Sequence, residues 1–511
     1  MGGDRRSGSG PGALPEAARV GLLLVGGAAL HLAYPRVEWD LLAWVALVPL
    51  LLYALEARPG QAFLGGWLAG LAFFVPLLGW LTHTMTTYST LPLPLALLVL
   101  LGLSAYLALY WGGVASALAW LARGVGPRAL GAVPALWVTA ELARGHLLTG
   151  FPWGLLGYSQ YRRLLLIQIA AWTGVYGVSF LVALVNAAVA WAIVRGRRGV
   201  PVAAGVILLA VGGTTLLGAQ RLAGGPPPGL PVAIAQGSID QAVKWDRAYQ
   251  GKTLEIYRAL TAEARGRARL IVWPETAVPA YLRREPWVLG WLTELARTVE
   301  TPLLVGAPDA EGAGPTARYY NSAFLLTARG VEGRYDKIHL VPFGEYVPLK
   351  GLLFFVQAVA AEIGDFSSGR EVTVFPLAGA PFGVVICYEV VFPDLFRRFV
   401  GEGARFMVNI TNDGWFGRSS GPLQHLAMVP FRAVETGVAV VRAANTGVSA
   451  VVEPTGRIGP RLPLFERGVI ETTIALREGQ TFYTRFGDLF AYGCALGSLA
   501  AVLGRRGRKG G

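Results

Sequence analysis

Apolar residues occur along this chain in long unbroken segments, and seven of these lie in its first half. A segment of about 20 apolar residues is long enough to cross a bilayer as a helix. The segments lie roughly at 19–35, 40–55, 62–82, 92–121, 129–147, 164–194 and 199–219. An eighth apolar run covers about 488–504. The pattern therefore predicts a multi-pass α-helical membrane bundle of about eight spans.

The region 226–482 has a different pattern, with dispersed charges, turn residues and short apolar runs. These runs read PVAIAQ, RLIVWPE, TPLLVGAP, SAFLLT, FGVVIC, FMVNIT and VSAVVEP. Continuous apolar runs of this length are typical of strands that are covered on both faces. Between the first two runs, apolar residues recur near helical spacing at Leu254, Tyr257, Leu260 and Ala264. The order of strand, helix and strand predicts an α/β layered domain.

Composition and charge agree with a membrane protein that carries an exposed domain. Of the 511 residues, 53% are hydrophobic and 15% are charged, and the net charge is +13. The arginines gather at the ends of alternate apolar segments, so the positive-inside rule predicts a cytoplasmic N terminus. No basic face interleaved with aromatic residues accompanies the charge, and we therefore expect no nucleic-acid partner.

The pattern divides the chain into three parts. Residues 1–220 are predicted to form a membrane domain with about seven transmembrane helices. An odd number of spans places the next part, 226–482, on the extracytoplasmic side, after a stiff linker that reads AGGPPPG. Residues 484–511 then return the chain through a last span to a basic cytoplasmic tail.

The chain has two cysteines, too few for a disulfide scaffold or a zinc site, and we predict no metal and no cofactor. Cys494 lies in the last apolar segment and is interpreted as a packed or lipid-facing residue. Cys387 ends the run FGVVIC and precedes EVVFPDLFRR, which could form a helix. A strand-to-helix turn exposes a side chain and aims amide groups at it, which favours a reactive thiol. A buried cysteine without chemistry is the alternative for this residue taken alone.

Three more ionisable residues stand at predicted strand ends or in an ordered loop. Glu275 follows LIVWP, Lys337 lies in GRYDKIHL, and Glu345 lies in PFGEYVP. Glu275 and Lys337 alone could be ordinary surface residues, whereas Glu345, among Pro, Phe, Gly and Tyr, is expected to be held in an ordered loop. Together with Cys387 they supply the thiol, carboxylates and cation that thiol-based acyl transfer requires. No metal-binding histidine spacing offers a competing chemistry.

These motifs resemble those of a known superfamily. WPET, DKIHLVPFGEYVP and ICYEVVFPD are similar to the Glu, Lys, Glu and Cys signatures of the carbon–nitrogen hydrolase (nitrilase) superfamily. The stretch TNDGWFGRSSGPLQHLAMVPFRAVETGVAVVRAANTGVSAVVEPTGRI, with AQGSIDQAVKWD, resembles more narrowly the apolipoprotein N-acyltransferase family. The resemblance covers almost the whole chain, most specifically residues 231–460. It implies that the middle domain is a nitrilase-like αββα sandwich.

The resemblance also implies a role for each of the four ionisable residues. Cys387 would be the nucleophile and Glu275 the general base. Lys337 would stabilise the tetrahedral intermediate, and Glu345 would be a supporting carboxylate near the thiol.

Three other residues match positions that are functionally important in the family, namely Tyr388, Glu389 and Trp245. For Tyr388 and Trp245 the alternative is simple packing. For Glu389 the alternative is a structural ion pair.

The implied activity is transfer of an acyl chain from a membrane glycerophospholipid to the α-amino group of an apolipoprotein's diacylglyceryl-cysteine. The cycle would be ping-pong through a thioester on Cys387, as the last step of bacterial lipoprotein maturation. We expect phosphatidylethanolamine as donor and a monomer in the bacterial inner membrane, with its catalytic domain on the periplasmic side. The apolar loop LKGLLFFVQAVAAEIG, residues 349–364, is expected to be an interfacial lid, with a buried helix as the alternative.

Two other functions remain open at this point. A membrane-tethered amidase would pass the acyl group to water instead of an amine. A transporter or scaffold would use the outer domain only for binding. Glu141 is the one obvious acidic residue in the predicted spans, which is a weak basis for transport.

Overall fold

The computed structural model describes residues 15–89, 91–224, 229–346, 366–476 and 479–507. The predicted lid at 349–364 and most of the proline-rich linker lie outside these residues.

Helices form most of the region from 15 to 224. They are α1 (Glu16–His31), α2 (Val48–Glu56), α3 (Pro59–Leu77), α4 (Trp80–Thr87), α5 (Leu93–Val125), α6 (Val133–His146), α7 (Leu164–Ile167), α8 (Ala170–Thr173), α9 (Val175–Arg195), α10 (Val200–Ile207) and α11 (Gly213–Leu222). Among the described residues, four helical segments are long and apolar enough to cross a membrane: Pro59–Leu77, Leu93–Thr149, Val175–Arg198 and Val200–Leu222. The second of these contains both α5 and α6.

Four such segments are fewer than the eight predicted spans, so the structure supports the predicted bundle only in part. The apolar segment at 40–55 consists of a 3₁₀ turn, Asp40–Trp44, followed by α2. The segment at 164–194 is divided into α7, α8 and α9, and Gly174, with a φ of 63°, precedes α9. Hydropathy does not reveal such breaks, because the residues on both sides of them are apolar.

Two six-stranded sheets make up the core of the region after residue 229, within the described ranges. The strands are β1 (Gly229–Gln236), β2 (Ile271–Val272), β3 (Leu303–Glu311), β4 (Arg318–Thr327), β5 (Gly330–Asp336), β6 (Val374–Phe375), β7 (Phe382–Ile386), β8 (Phe406–Thr411), β9 (Ala439–Ala444), β10 (Ser449–Val452), β11 (Ile458–Leu462) and β12 (Gly468–Ala475). Their order is β12-β1-β2-β3-β4-β5 in one sheet and β11-β10-β9-β8-β7-β6 in the other. All seven predicted strand runs coincide with strands of these sheets.

The helices of this region are α12 (Arg247–Glu263), α13 (Pro286–Val299), α14 (Pro393–Gly401), α15 (Gly421–Thr436), α16 (Phe482–Phe486) and α17 (Leu489–Gly507). The predicted amphipathic helix is α12, and its Leu254, Tyr257 and Leu260 are buried. Its first turn is capped by the side chain of Asp246, which accepts a hydrogen bond from the Ala248 amide.

The two faces of the first sheet are buried in different layers. Side chains alternate between the faces of a strand, and β1 shows this directly. Ala233 and Ala235 belong to a core with α12 and α13, whereas Val232 and Ile234 share a core with the second sheet. Helices α14 and α15 pack on the far side of that second sheet. The layers are therefore helix, sheet, sheet and helix, and the predicted nitrilase-like αββα sandwich is confirmed.

The sandwich is held directly against the helical bundle. The indole Nε1 of Trp153 donates to Oε1 of Gln424 in α15 at 2.7 Å. The Val175 amide, at the start of α9, donates to Oε1 of Glu435 at 2.9 Å. The four residues in these contacts are buried, so the hydrogen bonds fix the position of α15 against the helical bundle.

Candidate active site

Cys387 directly follows β7, at the point where the strand turns into the 3₁₀ segment Cys387–Val391. Its φ is 51°, in the left-handed region that non-glycine residues seldom adopt. Strain of this kind persists only where the surrounding structure holds it, and it is concentrated at functional sites. The predicted turn after the strand is therefore present, with a 3₁₀ turn before helix α14.

Glu389 is the residue that holds this turn. Its Oε2 accepts a hydrogen bond from the Ile386 amide at 2.7 Å. Its Oε1 accepts from the Tyr335 hydroxyl at 2.8 Å and from the amides of Ile338 and His339 at 2.7 and 3.0 Å. Burial raises the pKa of Glu389 to about 7, although these donors favour its charged form. In the described part of the chain, Glu389 thus binds amides and a phenol, and the alternative of a structural ion pair is wrong.

Glu275, Lys337 and Glu345 form one cluster, in which Glu275 and Lys337 are buried and Glu345 is half-buried. The Lys337 ammonium donates to Oε1 of Glu345 at 2.9 Å and lies 3.9 Å from Oε1 of Glu275. The Asn321 amide group donates to both carboxylates, at 2.7 Å to Glu275 and 3.0 Å to Glu345. The second oxygen of Glu275 accepts from the Asn412 amide at 2.7 Å. Each charged group therefore has at least two fixed partners, which is how buried charges are kept in place.

The sheet topology explains why these residues meet. Glu275 comes shortly after β2, Cys387 after β7 and Asn412 after β8, and these strands run parallel to a neighbour within their sheets. The carboxyl ends of parallel strands lie at one edge of a sheet, where sites are commonly built. Lys337 follows β5 and completes the cluster.

Burial is the main reason why the sulfur of Cys387 is protonated at rest. Burial and the negative charge of Glu275 raise the pKa of the Cys387 thiol well above its ordinary value, although Lys337 acts in the opposite direction. Burial opposes the charge of Lys337, but the attraction of Glu345 and Glu275 exceeds it and raises the pKa of Lys337. The resting site therefore contains a neutral thiol and a firmly protonated lysine, so a base must remove the thiol proton during a reaction.

This raised pKa predicts how Cys387 reacts with iodoacetamide. Only the thiolate is alkylated, so the rate should increase about tenfold for each pH unit from 7 to 9.5, without a plateau near the ordinary thiol pKa. Intact mass over time, in a Cys494→Ala background, measures this rate. A rate that is already constant between pH 7 and 8 would mean that Cys387 rests as a thiolate.

Tyr388 and Trp245 lie in different surroundings. The ring of Tyr388 is buried among Phe151, His339 and Phe392, at centroid distances of 6.5, 6.0 and 5.1 Å. Phe151 belongs to the membrane part, so Tyr388 forms a contact between the nucleophile turn and the bundle. The side chain of Trp245 is 50% exposed, so it is not a packed core residue.

A second connection joins the nucleophile turn to the bundle. Arg432 of α15 donates to the Val391 carbonyl at 3.2 Å and to Oε1 of Glu435 at 2.8 Å. The same oxygen of Glu435 accepts from the Val175 amide, where α9 begins. The turn that starts at Cys387 is thus held in a fixed place relative to a membrane helix.

Asn321, Asn412 and Lys244 were not predicted from the sequence. Asn412 follows the apolar run FMVNIT, so the strand-end argument that selected Glu275 applies to it equally. Lys244 precedes Trp245, is only 1% exposed, and donates to the Glu275 backbone carbonyl at 3.1 Å. Asn321 lies within β4, where no local pattern distinguishes it from other polar residues of a strand.

Within the described residues, no group of three or more His, Cys, Asp or Glu side chains is placed to hold a metal ion. The arrangement that is present combines a buried thiol, a carboxylate and an ammonium group. Such a set can activate sulfur, stabilise an oxyanion and carry an acyl group as a thioester. The fold and the site therefore define a carbon–nitrogen hydrolase domain joined to membrane helices.

Comparison with known proteins agrees with this class. The family model described as carbon-nitrogen hydrolase matches residues 231–483, and that described as apolipoprotein N-acyltransferase N-terminal domain matches residues 26–188. Among solved structures, a mutant of the amidase from Nesterenkonia sp. AN1 is similar in fold at 21% identity, covering 53% of this chain and 98% of its own, with a TM-score of 0.40.

Similarity to curated proteins covers nearly the whole chain. Apolipoprotein N-acyltransferase of Geobacter metallireducens is 44% identical over 502 residues, 95% of each chain. That of Nitrosomonas europaea is 37% identical over 501 residues, which cover 95% of this chain and 97% of the relative. The chain belongs to the apolipoprotein N-acyltransferase family, and the resemblance seen in its motifs is confirmed.

Proposed function

We propose that this chain transfers an acyl chain from a membrane glycerophospholipid to the N-terminal amino group of an apolipoprotein's diacylglyceryl-cysteine. Membership of the family and the names of its relatives support N-acylation in lipoprotein maturation. The observation that carries the proposal is the buried thiol of Cys387 beside the cluster of Glu275, Lys337 and Glu345. This thiol lies in a domain held against apolar helices, which would bring a lipid ester to it.

The first half-reaction forms a thioester on Cys387. Glu275 takes the thiol proton as sulfur attacks the ester carbonyl carbon, and the carbonyl oxygen becomes an oxyanion that Lys337 stabilises. The carbon–oxygen bond of the ester then breaks, and Glu275 returns the proton to the leaving alkoxide. A lysophospholipid departs, and the acyl group remains on sulfur.

The second half-reaction passes the acyl group to the amine. The neutral α-amino group attacks the thioester carbonyl, Glu275 takes one proton from the attacking nitrogen, and Lys337 again stabilises the oxyanion. The carbon–sulfur bond breaks as an amide forms, and the proton on Glu275 restores the Cys387 thiol. The cycle is ping-pong, because the donor product leaves before the acceptor reacts.

The remaining residues act on these groups. Glu345 holds the Lys337 ammonium and keeps it charged. Glu389 holds the turn that presents the sulfur. Tyr388, between the turn and Phe151, and the exposed Trp245 are proposed to contact the acyl chains or the lipoprotein. The aromatic surroundings of Tyr388 favour transfer to an amine over hydrolysis, because they exclude water from the thioester.

Both substrates carry lipid chains, and this determines the proposed location. The chain would span the bacterial inner membrane about eight times, with a membrane domain at 1–220, a periplasmic catalytic domain at 226–482 and a last span within 484–511. Phosphatidylethanolamine is the proposed donor. A monomer is the proposed catalytic unit, because one chain supplies Glu275, Lys337, Glu345 and Cys387 to a single cluster.

The test is the intact mass of the detergent-solubilised protein after incubation with phosphatidylethanolamine. We expect an added acyl mass on the native protein and on Cys494→Ala, removable by hydroxylamine, and none on Cys387→Ala. Addition of a diacylglyceryl lipopeptide should remove the adduct and yield a triacylated peptide. Release of free fatty acid instead would favour an amidase-like hydrolase, and the absence of any adduct with several phospholipids would contradict the proposal.

A further inference from the structure

Lys244 is a buried cation beside the site that the mechanism above does not use. Its side chain is 1% exposed. Its ammonium group donates to the Glu275 backbone carbonyl at 3.1 Å and to the Thr276 hydroxyl. No described carboxylate lies within salt-bridge distance of it. A buried charge is costly without a specific partner. We therefore attribute the buried position of Lys244 to these two hydrogen bonds.

Both hydrogen bonds are made to a strained turn. Thr276 has a φ of 46°, in the left-handed region. The other side of the turn is pressed against Gly306 of β3, where an added Cβ would lie 2.4 Å from the Pro274 carbonyl oxygen. The turn that carries Glu275 is therefore held between a strand that admits no side chain there and the ammonium group of Lys244.

We infer that Lys244 is a positioning residue for the general base, because it holds the Glu275–Thr276 turn by its backbone and hydroxyl oxygens. This inference rests on the proposed function, in which Glu275 is that base. The Glu275 carboxylate is held separately, by Asn321 and by the Asn412 amide. Lys244 fixes the backbone from which this carboxylate extends, and a small displacement of a catalytic group lowers the rate strongly.

The charge of Lys244 is sensitive to pH in an accessible range. Burial lowers the pKa of Lys244 to about 8, against the attraction of the Glu275 carboxylate and of Cys387 when its thiol is ionised. Among the described residues, these are the titratable groups that act on it. Below this pH the group is an ammonium ion and donates strongly. Above it, the group is a neutral amine and holds the turn more weakly.

The experiment measures single-turnover acylation of Cys387 by phosphatidylethanolamine from pH 6.5 to 9.5. The variants are Lys244→Met, Lys244→Arg, Thr276→Ala and the control Lys252→Met, which changes an exposed lysine of α12. Lys244→Met is also combined with Glu275→Gln. Thermal unfolding of each protein shows whether it is folded, and Thr276→Ala tests the same contact if Lys244→Met does not fold.

We expect Lys244→Met to slow acylation about 10- to 100-fold, Thr276→Ala to slow it less, and Lys252→Met to leave it unchanged. Lys244→Arg should recover part of the rate. In the Glu275→Gln background, Lys244→Met should slow acylation less than about threefold, because both substitutions then act on the same group, the general base. The wild-type rate should decline as the pH rises through 8, and this decline should be absent in Lys244→Met.

Two results would overturn the inference. One is that Lys244→Met lowers the acylation rate by the same factor with and without Glu275→Gln. This would mean that Lys244 does not act through Glu275. The other is a full wild-type rate in folded Lys244→Met or, if that variant does not fold, in Thr276→Ala. If even the native protein forms no acyl adduct, the proposed function fails instead. In that case the alkylation rate of Cys387 by iodoacetamide at pH 8 still tests the turn, because a displaced Glu275 carboxylate raises the pKa of the thiol less. The rate should rise in folded Thr276→Ala, which keeps the Lys244 charge, and stay unchanged in Lys252→Met.

Discussion

Replacement of Cys387 by serine is expected to lower N-acylation of a diacylglyceryl lipopeptide by at least about 10⁴-fold. A hydroxyl has nearly the size of the thiol, so the strained turn and the four hydrogen bonds that its Glu389 accepts remain. Serine is a far weaker nucleophile under the same base, because its proton is much harder to remove. The loss would therefore reflect chemistry and not folding. Initial rates of triacylated peptide formation, with unfolding temperatures of both proteins, measure it.

Cys494→Ser is the matched control for this variant. Cys494 lies in α17 and contributes no group to the cluster, so its replacement should leave the rate within about twofold of wild type. A Cys387→Ser protein that is folded and retains a tenth of the activity would show that sulfur does not carry the acyl group.

Glu275→Gln is expected to slow acylation of Cys387 by about 10²- to 10⁴-fold, the range that a general base commonly contributes. Glutamine preserves the shape of the side chain, but it cannot accept the thiol proton. The raised pKa of the Cys387 thiol makes this step necessary, since little thiolate forms unaided near pH 7. The measurement is single-turnover acylation as a function of pH, and the variant's rate should increase with pH as thiolate forms without a base.

The control for charge removal is Glu294→Gln, on the exposed face of α13, where Glu294 pairs with Arg297 at the surface. Exposed pairs contribute little to stability, so neither the rate nor the unfolding temperature should change measurably. An acylation rate of Glu275→Gln that stays flat with pH and close to wild type would assign the base to another residue. Glu345 would then be the next residue to test, because it shares Asn321 and Lys337 with Glu275.

The site is integrated with the membrane part through its nucleophile turn. Tyr388 contacts Phe151 on one side of that turn, and Arg432 joins its other end to Glu435 and α9. The turn that carries the sulfur is therefore held directly against the helical part. This arrangement gives a physical reason why the two parts occur in one chain.

The sequence determined much of the catalytic domain. Apolar runs bounded by turns predicted seven strands, and all seven are present. A strand that is buried on both faces is apolar at consecutive positions, so it can be recognised in the sequence. The sequence did not reveal β5, β6, β9, β11 and β12. The patterns of β5, β11 and β12 are mixed or polar because one face is partly exposed. Strand β6 has only two residues, and the apolar run of β9, although buried, is interrupted by Arg442. The sequence also predicted more spans than the long apolar helices support, since apolar composition does not record where a helix ends.

The residue types at Cys387, Glu275, Lys337 and Glu345 were by themselves enough to indicate thiol chemistry, because strand ends bring such groups to one edge. Only the tertiary structure decided how they are held. Asn321 joins two carboxylates, Glu389 fixes the turn, and Lys244 supports Glu275 from the backbone side, all through contacts between residues distant in sequence. Sequence patterns record periodic burial along one element, whereas these partners come from different elements that meet only when the two sheets pack together.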